Sequence, residues 1–313
     1  MLVFTRLKDR YLVLFMGMRA KWFLLLTGVL VGYSAFTQKK DATSYLRVTN
    51  MKYATHPKAD PELNMLDVYI PKKGSNSPVM IWIHGGGWSY GDKENVQQKA
   101  EYFTSKGYVF VSINYRLSPK VQHPAHVQDV AAAIMWVHTN AKHYSADENK
   151  IFLMGHSAGA HLAALVTLNE EFIKNAGGHP GIIKGVILLD GVGYDIPVLM
   201  PDVAGEKVED WYKQAFGATK KEWEQASPVT FVKPDKSTPP FMIAYVGDRE
   251  TSKIESVILS QKLTEAHVFN KVFQYQKKNS LTINKDLGRE DDKTTEDIFR
   301  FLQEQNYTVS SSR

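Results

Sequence analysis

Hydrophobic positions along this chain follow two alternating rhythms, and the alternation predicts an architecture. Val79–His84, Val109–Ile113, Ile151–Met154, Gly185–Leu189 and Phe241–Val246 are short apolar runs, as expected of strands buried on both faces. Between them, Ala125–Ala141 places Val127, Val130, Ala131, Ile134 and Val137 on one helical face, with Pro124 at its start. Further helices are expected over 95–105, Ala158–Leu168, Ile254–Ala266 and Thr294–Gln305, and a last strand over Lys271–Tyr275. Leu46–Tyr53 and Leu66–Ile70 alternate as an antiparallel entry hairpin. The pattern predicts an α/β protein, with a mostly parallel eight-stranded sheet and helices on both faces. Its domain runs from 46 to 306. Between Val192 and Pro240 the rhythm loosens into prolines and short helices near Glu209–Phe216 and Glu222–Gln225. That stretch reads as a small cap-like excursion, not a separate domain.

Charge adds little to this picture. The 313-residue chain carries a net +5, but residues 1–40 hold seven basic side chains and one Asp. That leader supplies six of the positive charges, so the remainder nets −1. No basic surface for nucleic acid is implied. Met18-Arg19-Ala20-Lys21 followed by the apolar Trp22–Phe36 resembles a targeting segment, with small residues at Ser34, Ala35 and Thr37 as a cleavage site. Residues 1–40 are read as a signal peptide or an N-terminal anchor, so the expected location is exported, periplasmic or secreted. Membrane contact is expected only through that segment if it is uncleaved. The chain has no cysteine, which removes disulfides and a thiol nucleophile.

The chemistry centres on Ile151-Phe152-Leu153-Met154-Gly155-His156-Ser157-Ala158-Gly159. A buried strand runs into a G-x-S-x-G turn and then an Ala- and Leu-rich helix, the order of a nucleophile elbow with Ser157 at its tip. His84-Gly85-Gly86-Gly87-Trp88 follows another buried strand. Glycines there let backbone N–H groups approach an oxyanion together with the N–H of Ala158. The Lys and Ser/Thr of a phosphate loop are missing. An acid to orient a base is expected after Phe241–Val246, where the chain reads Gly247-Asp248-Arg249-Glu250; Asp248 is the first candidate and Glu250 its rival.

Taken together these motifs resemble the α/β-hydrolase superfamily, in its esterase/lipase group with an HGGGW motif. That group includes hormone-sensitive-lipase-like, feruloyl/acetyl-xylan-esterase-like and kynurenine-formamidase-like enzymes. The resemblance covers Leu46 to Gln305. It rests on His84–Trp88, Asn114–Pro119, His123-Pro124 with Asp129, Gly155–Ala163, Leu189-Asp190-Gly191, Ala226-Ser227-Pro228 and Pro239-Pro240-Phe241. It implies the α/β-hydrolase fold, attack on a small-molecule or carbohydrate-linked carboxylic ester by Ser157, an oxyanion held by Gly86, Gly87 and Ala158, and no metal or organic cofactor. Asp129 precedes the nucleophile and reads as a structural carboxylate.

One part is missing. Similar chains carry a His-x-Thr-Ile-Asn sequence after the last strand, and here that loop reads Asn279-Ser280-Leu281-Thr282-Ile283-Asn284. By that register Ser280 stands where the base is expected, and a hydroxyl cannot exchange a proton near neutral pH as imidazole does. The last of the ten histidines, His267, precedes the strand. His84 and His156 are fixed by their motifs, while His123, His126 and His267 need an unusual path to reach Ser157. Three functions remain open: a carboxylesterase with impaired turnover, an arylformamidase-like amidase, or a non-catalytic ligand-binding protein on the same fold. A partner-binding module without pocket function is a further class.

Overall fold

Residues 45–54, 58–247 and 249–310 are described by a computed structural model, with the side chains of 306–310 excepted. The leader over residues 1–40 and Asp248 lie outside the described residues. In chain order the first elements are β1 (Tyr45–Lys52), β2 (Met65–Pro71), β3 (Ser77–Ile83), α1 (Lys99–Ser105), β4 (Val109–Ile113) and α2 (Ala125–Asn140). The central unit follows as β5 (Ala146–His156), α3 (Ala158–Leu168), α4 (Glu171–Asn175) and β6 (Ile183–Leu189). Next come α5 (Ile196–Leu199), α6 (Lys207–Phe216), α7 (Lys220–Ala226) and β7 (Phe241–Val246). The chain closes with α8 (Glu250–Glu265), β8 (Asn270–Tyr275), α9 (Ser280–Lys285) and α10 (Lys293–Ser310).

The eight strands form one sheet in the order β1-β2-β4-β3-β5-β6-β7-β8. β1 and β2 are antiparallel to each other, β2 is antiparallel to β4, and every other pairing is parallel. The sheet is therefore mostly parallel, and the antiparallel entry hairpin docks on β4 instead of on β3, its neighbour in sequence. This is the α/β-hydrolase fold.

Strand periodicity explains the layers. Val79, Ile81 and Ile83 of β3 join one apolar cluster, while Met80 and Trp82 join the other. β5 divides the same way, with Ile151 and Leu153 on one side and Phe152 and Met154 on the other. Val130 and Ile134 of α2, Leu162 of α3 and Leu259 and Leu263 of α8 cover the first face. Phe103 of α1 and Ile298, Phe301 and Leu302 of α10 cover the second. A strand buried on both faces is apolar at nearly every position, and the exception in β4, Ser112, is buried with its hydroxyl donating to the Lys93 carbonyl at 2.7 Å.

Two segments differ from the sequence reading. β5 begins at Ala146, five residues before the apolar run, because Ser77 of β3 extends the ladder to Ala146 past an irregularity. The stretch read as a loop after β8 contains α9, which starts at a reciprocal Asn279/Thr282 cap. Asn279 accepts from the Thr282 N–H at 2.9 Å, and Thr282 Oγ1 accepts from the Asn279 N–H at 2.9 Å. Among the described residues no helix is long and apolar enough to cross a membrane.

Leu153 is fully buried in β5, one turn of chain before the elbow, and Leu281 on α9 is 66% exposed. Leu153→Ala is expected to cost ~2–5 kcal/mol, through lost burial and the cavity left behind. Leu281→Ala should stay within ~0.5 kcal/mol. Denaturant unfolding of the two variants beside the unaltered chain measures the contrast.

Candidate active site

Ser157 sits between the end of β5 and the start of α3 with φ 52° and ψ −117°. A non-glycine residue avoids this backbone region unless the surroundings enforce it, at a cost of ~1–3 kcal/mol. Enforcement comes from two close approaches. A Cβ on Gly155 would fall 2.2 Å from the Gly159 carbonyl oxygen, and one on Gly159 would fall 2.1 Å from that of Ile83. No side chain fits at either position, so the helix packs directly onto two strands. The Ser157 N–H donates to the Leu189 carbonyl at 2.9 Å, which ties the turn to the end of β6. Ala158 opens α3, so its N–H has no intrahelical acceptor and the positive helix end faces the same space.

The glycine turn after β3 lies against this elbow. A Cβ on Gly85 would come within 2.8 Å of the His156 carbonyl oxygen and 3.3 Å of Ser157 Cβ. Gly86 and Gly87 both adopt positive φ, at 122° and 53°. The Gly86 carbonyl accepts from the N–H groups of Ser89 and Tyr90, each at 3.0 Å, which closes the turn. Trp88 points inward, its Nε1 donating to His161 Nδ1 at 3.2 Å and its ring packed on Tyr212 and Phe216 of α6. Through those contacts the segment between β6 and β7 lies over the glycine turn. Trp211 covers Gly87 and forms an aromatic rim with Tyr90, ring centroids 6.1 Å apart. A cavity of about 580 Å³ opens here and brings together Ser157, Ala158, Gly86, Gly87, Ser280 and Arg249.

The two acid candidates fare differently. Asp248 lies outside the described residues. Glu250 is exposed at the start of α8, where it pairs with Lys253 at 3.0 Å and borders a separate hollow of about 210 Å³. The structure does not bring Glu250 to Ser157. Asp129, as expected of a structural carboxylate, accepts from Arg116 Nε and Nη2 at 2.8 Å each, in a buried fork.

No histidine among the described residues is free to serve Ser157. His156 Nε2 lies 2.9 Å from the Ser280 carbonyl oxygen. A carbonyl only accepts, so this nitrogen carries the proton. Burial pushes the ring's pKa down to about 4, against an opposing pull from Asp190, so the ring is neutral at pH 7 and its lone pair is on Nδ1. That nitrogen faces Gly85, where a Cβ would lie 2.9 Å away. His84 donates from Nδ1 to the Gly85 carbonyl at 2.8 Å and stacks on Tyr115. Its Nε2 is buried without a hydrogen-bond partner among the described residues. His161 is held by Ala226 and Trp88, and His126 by Ser118. Burial pulls His123 down to about 4, and it borders a different cavity. His267 is exposed just ahead of β8. Since β8 runs parallel to β7, and the sheet to β5, His267 is at the opposite end from Ser157.

Ser280 does stand at the cavity. It is the first residue of α9, and its Oγ lies 3.4 Å from His156 Nε2 and 3.3 Å from Arg249 Nη1. The same Nη1 donates to the fully buried Asp190 at 2.8 Å. Sequence reasoning noted Arg249 and Asp190 only as parts of motifs, because nothing local shows that the ends of β6 and β7 bring them together. Trp211 and Tyr90 were also missed; their only signal was an aromatic on a short amphipathic helix and another just past the glycine motif.

The profile of the BD-FAE family matches residues 66–263. Esterase LipQ of Mycobacterium tuberculosis is 39% identical over 112 residues, 34% of this chain and 27% of that protein. A kynurenine formamidase of Meyerozyma guilliermondii is 36% identical over 174 residues, 54% of this chain and 62% of that protein. The chain thus spans less than two thirds of these curated relatives. The crystal structure of esterase B from Lactobacillus rhamnosis superposes with a TM-score of 0.71 at 24% identity, over 86% of this chain and 88% of that one.

The buried imidazoles set a pH response. Burial lowers the pKa of His156 to about 4, of His123 to about 4, and of His126 and His161 to about 3, from an ordinary 6.5. Below 6.5 the unfolded chain takes up protons that the folded chain refuses, so stability is full above that pH and falls as the pH drops from 6.5 toward 4. Urea midpoints measured from pH 6.5 to pH 4 should decline as the imidazoles are driven toward protonation.

Proposed function

The chain belongs to the BD-FAE family, and from that premise we propose that its cavity is a carboxylic-ester site with Ser157 as nucleophile by position and with impaired turnover. The observation that carries this reading is the convergence of a positive-φ serine, a helix start and a glycine turn on one cavity of about 580 Å³. In the proposed reaction Ser157 Oγ attacks the ester carbonyl. The developing oxyanion takes N–H donors from Gly86, Gly87 and Ala158, where preorganised dipoles need no rearrangement. The alcohol departs to leave an acyl-enzyme, which water then cleaves. Asp248 is proposed as the acid. The esterase relatives support the ester class, and the exposed Tyr90 and Leu281 with the half-buried Trp211 suit a small apolar or carbohydrate-linked group at the mouth.

The impaired step is proton transfer. Attack requires an acceptor for the hydroxyl proton, and the return step requires its delivery to the leaving group. At 280 the side chain is a hydroxyl beside a guanidinium, and neither accepts a proton at neutral pH. In a Ser/His/Asp protease of another fold, removing the base costs on the order of a millionfold in turnover. An amide substrate is the second reading, supported by the likeness to a kynurenine formamidase, and it needs the same proton acceptor.

Ser280→His is expected to raise p-nitrophenyl acetate hydrolysis by ~10²–10⁴-fold, the usual contribution of a positioned acid–base group. Ser157→Ala in that background should abolish the gain. An unaltered chain that is already fast, and that Ser157→Ala silences, has a base elsewhere and refutes the assignment of 280.

A further inference from the structure

Arg249 is the strongest feature of the cavity that the ester reading leaves unused. Its guanidinium borders the same space as Ser157 and is 32% exposed. One nitrogen, Nη1, meets all of its acceptors among the described residues: the Asp190 carbonyl at 3.3 Å, Asp190 Oδ2 at 2.8 Å and Ser280 Oγ at 3.3 Å. Nη2 and Nε have no partner among the described residues. The fork is thus anchored on one corner by a buried carboxylate, and among the described residues two of its nitrogens are left to donate to a ligand. A planar pair of N–H groups matches the two oxygens of a carboxylate.

The rest of the wall is consistent with an anion. The α3 N-terminus, eleven residues long, and the glycine turn direct N–H groups at the same space. His84 and His156 are neutral through burial. Asp92, the other charged residue on the wall, has both carboxylate oxygens engaged, by the Glu94 N–H at 2.8 Å and by Asn114 Nδ2 at 3.0 Å. A side chain as small as Ser280 leaves the guanidinium open to the cavity, where an imidazole would crowd it. Val192, Val208, Trp211 and Leu281 supply an apolar wall for the remainder of a ligand.

We propose that this cavity binds a monocarboxylate, with Arg249 gripping its two oxygens beside Ser157. The proposal rests on the reading of the cavity as an ester site and assigns it a preference for acids or acid-bearing esters over neutral ligands.

Calorimetric titration with sodium hexanoate and with neutral hexanamide, at equal ionic strength, tests it. The unaltered chain should bind hexanoate about tenfold or more tighter than hexanamide, as expected of charge-assisted hydrogen bonds. Arg249→Lys keeps the charge and loses the fork, so the preference should shrink. Asp190→Asn with Arg249→Gln removes both charges together, avoiding an orphaned buried carboxylate, and should abolish the preference; thermal unfolding confirms that the variants fold. Equal binding of the two probes, no binding of hexanoate, or a preference that survives the double variant overturns the proposal. A turnover gain in Ser280→His without a hexanoate preference defeats this proposal and keeps the ester reading. A preference without that gain shows that the cavity binds carboxylates and overturns the assignment of 280 as the base position.

Discussion

The site depends on one steric constraint, the contact of bare backbone at Gly155 and Gly159. With no Cβ at either position, α3 seats against the ends of β3 and β5, and Ser157 is forced to φ 52° at their junction. A larger residue at 159 would meet the Ile83 and His84 carbonyls, pushing the helix off the sheet and with it the Ala158 N–H. The glycine turn after β3 shares that dependence, since Gly85 rests on the His156 carbonyl. The proposed nucleophile position and the proposed oxyanion donors are thus two outcomes of one packing arrangement.

Position and activation separate at this point. The fold holds Ser157 in place whether or not a base is present, because among the described residues the elbow's contacts with residue 280 run through His156. His156 in turn spends its Nε2 proton on the Ser280 carbonyl, which fixes α9 to the elbow and removes the nearest imidazole from proton transfer. α9 is also held at its other end, where the buried Lys99 donates to the Asn284 carbonyl at 2.8 Å while its ammonium sits over the Trp82 ring. The turn proposed as the base's position is well docked and presents the Ser280 hydroxyl to the cavity.

Much of this was legible in the sequence. Runs apolar at every position mark strands covered on both sides, and the glycines around Ser157 mark a turn that only small residues permit. The place of Ser280 at the cavity was legible by its register against Thr282, Ile283 and Asn284. Other parts were not. α9 has six residues and its cap is Asn279 with Thr282, a weaker signal than a Ser or Thr with a Glu. That Glu250 turns outward to Lys253 required knowing that α8 begins at 250. The Arg249–Asp190 pair joins residues 59 apart across adjacent strand ends, a tertiary fact with no local pattern.

The central claim is that Ser157 is correctly placed and chemically unactivated. Its most direct test is the rate at which a fluorophosphonate probe modifies Ser157 in the unaltered chain, followed by intact mass with Ser157→Ala as the background. The account predicts modification no faster than that background over the time in which an activated serine reacts to completion. Rapid, stoichiometric labelling at Ser157 would contradict it.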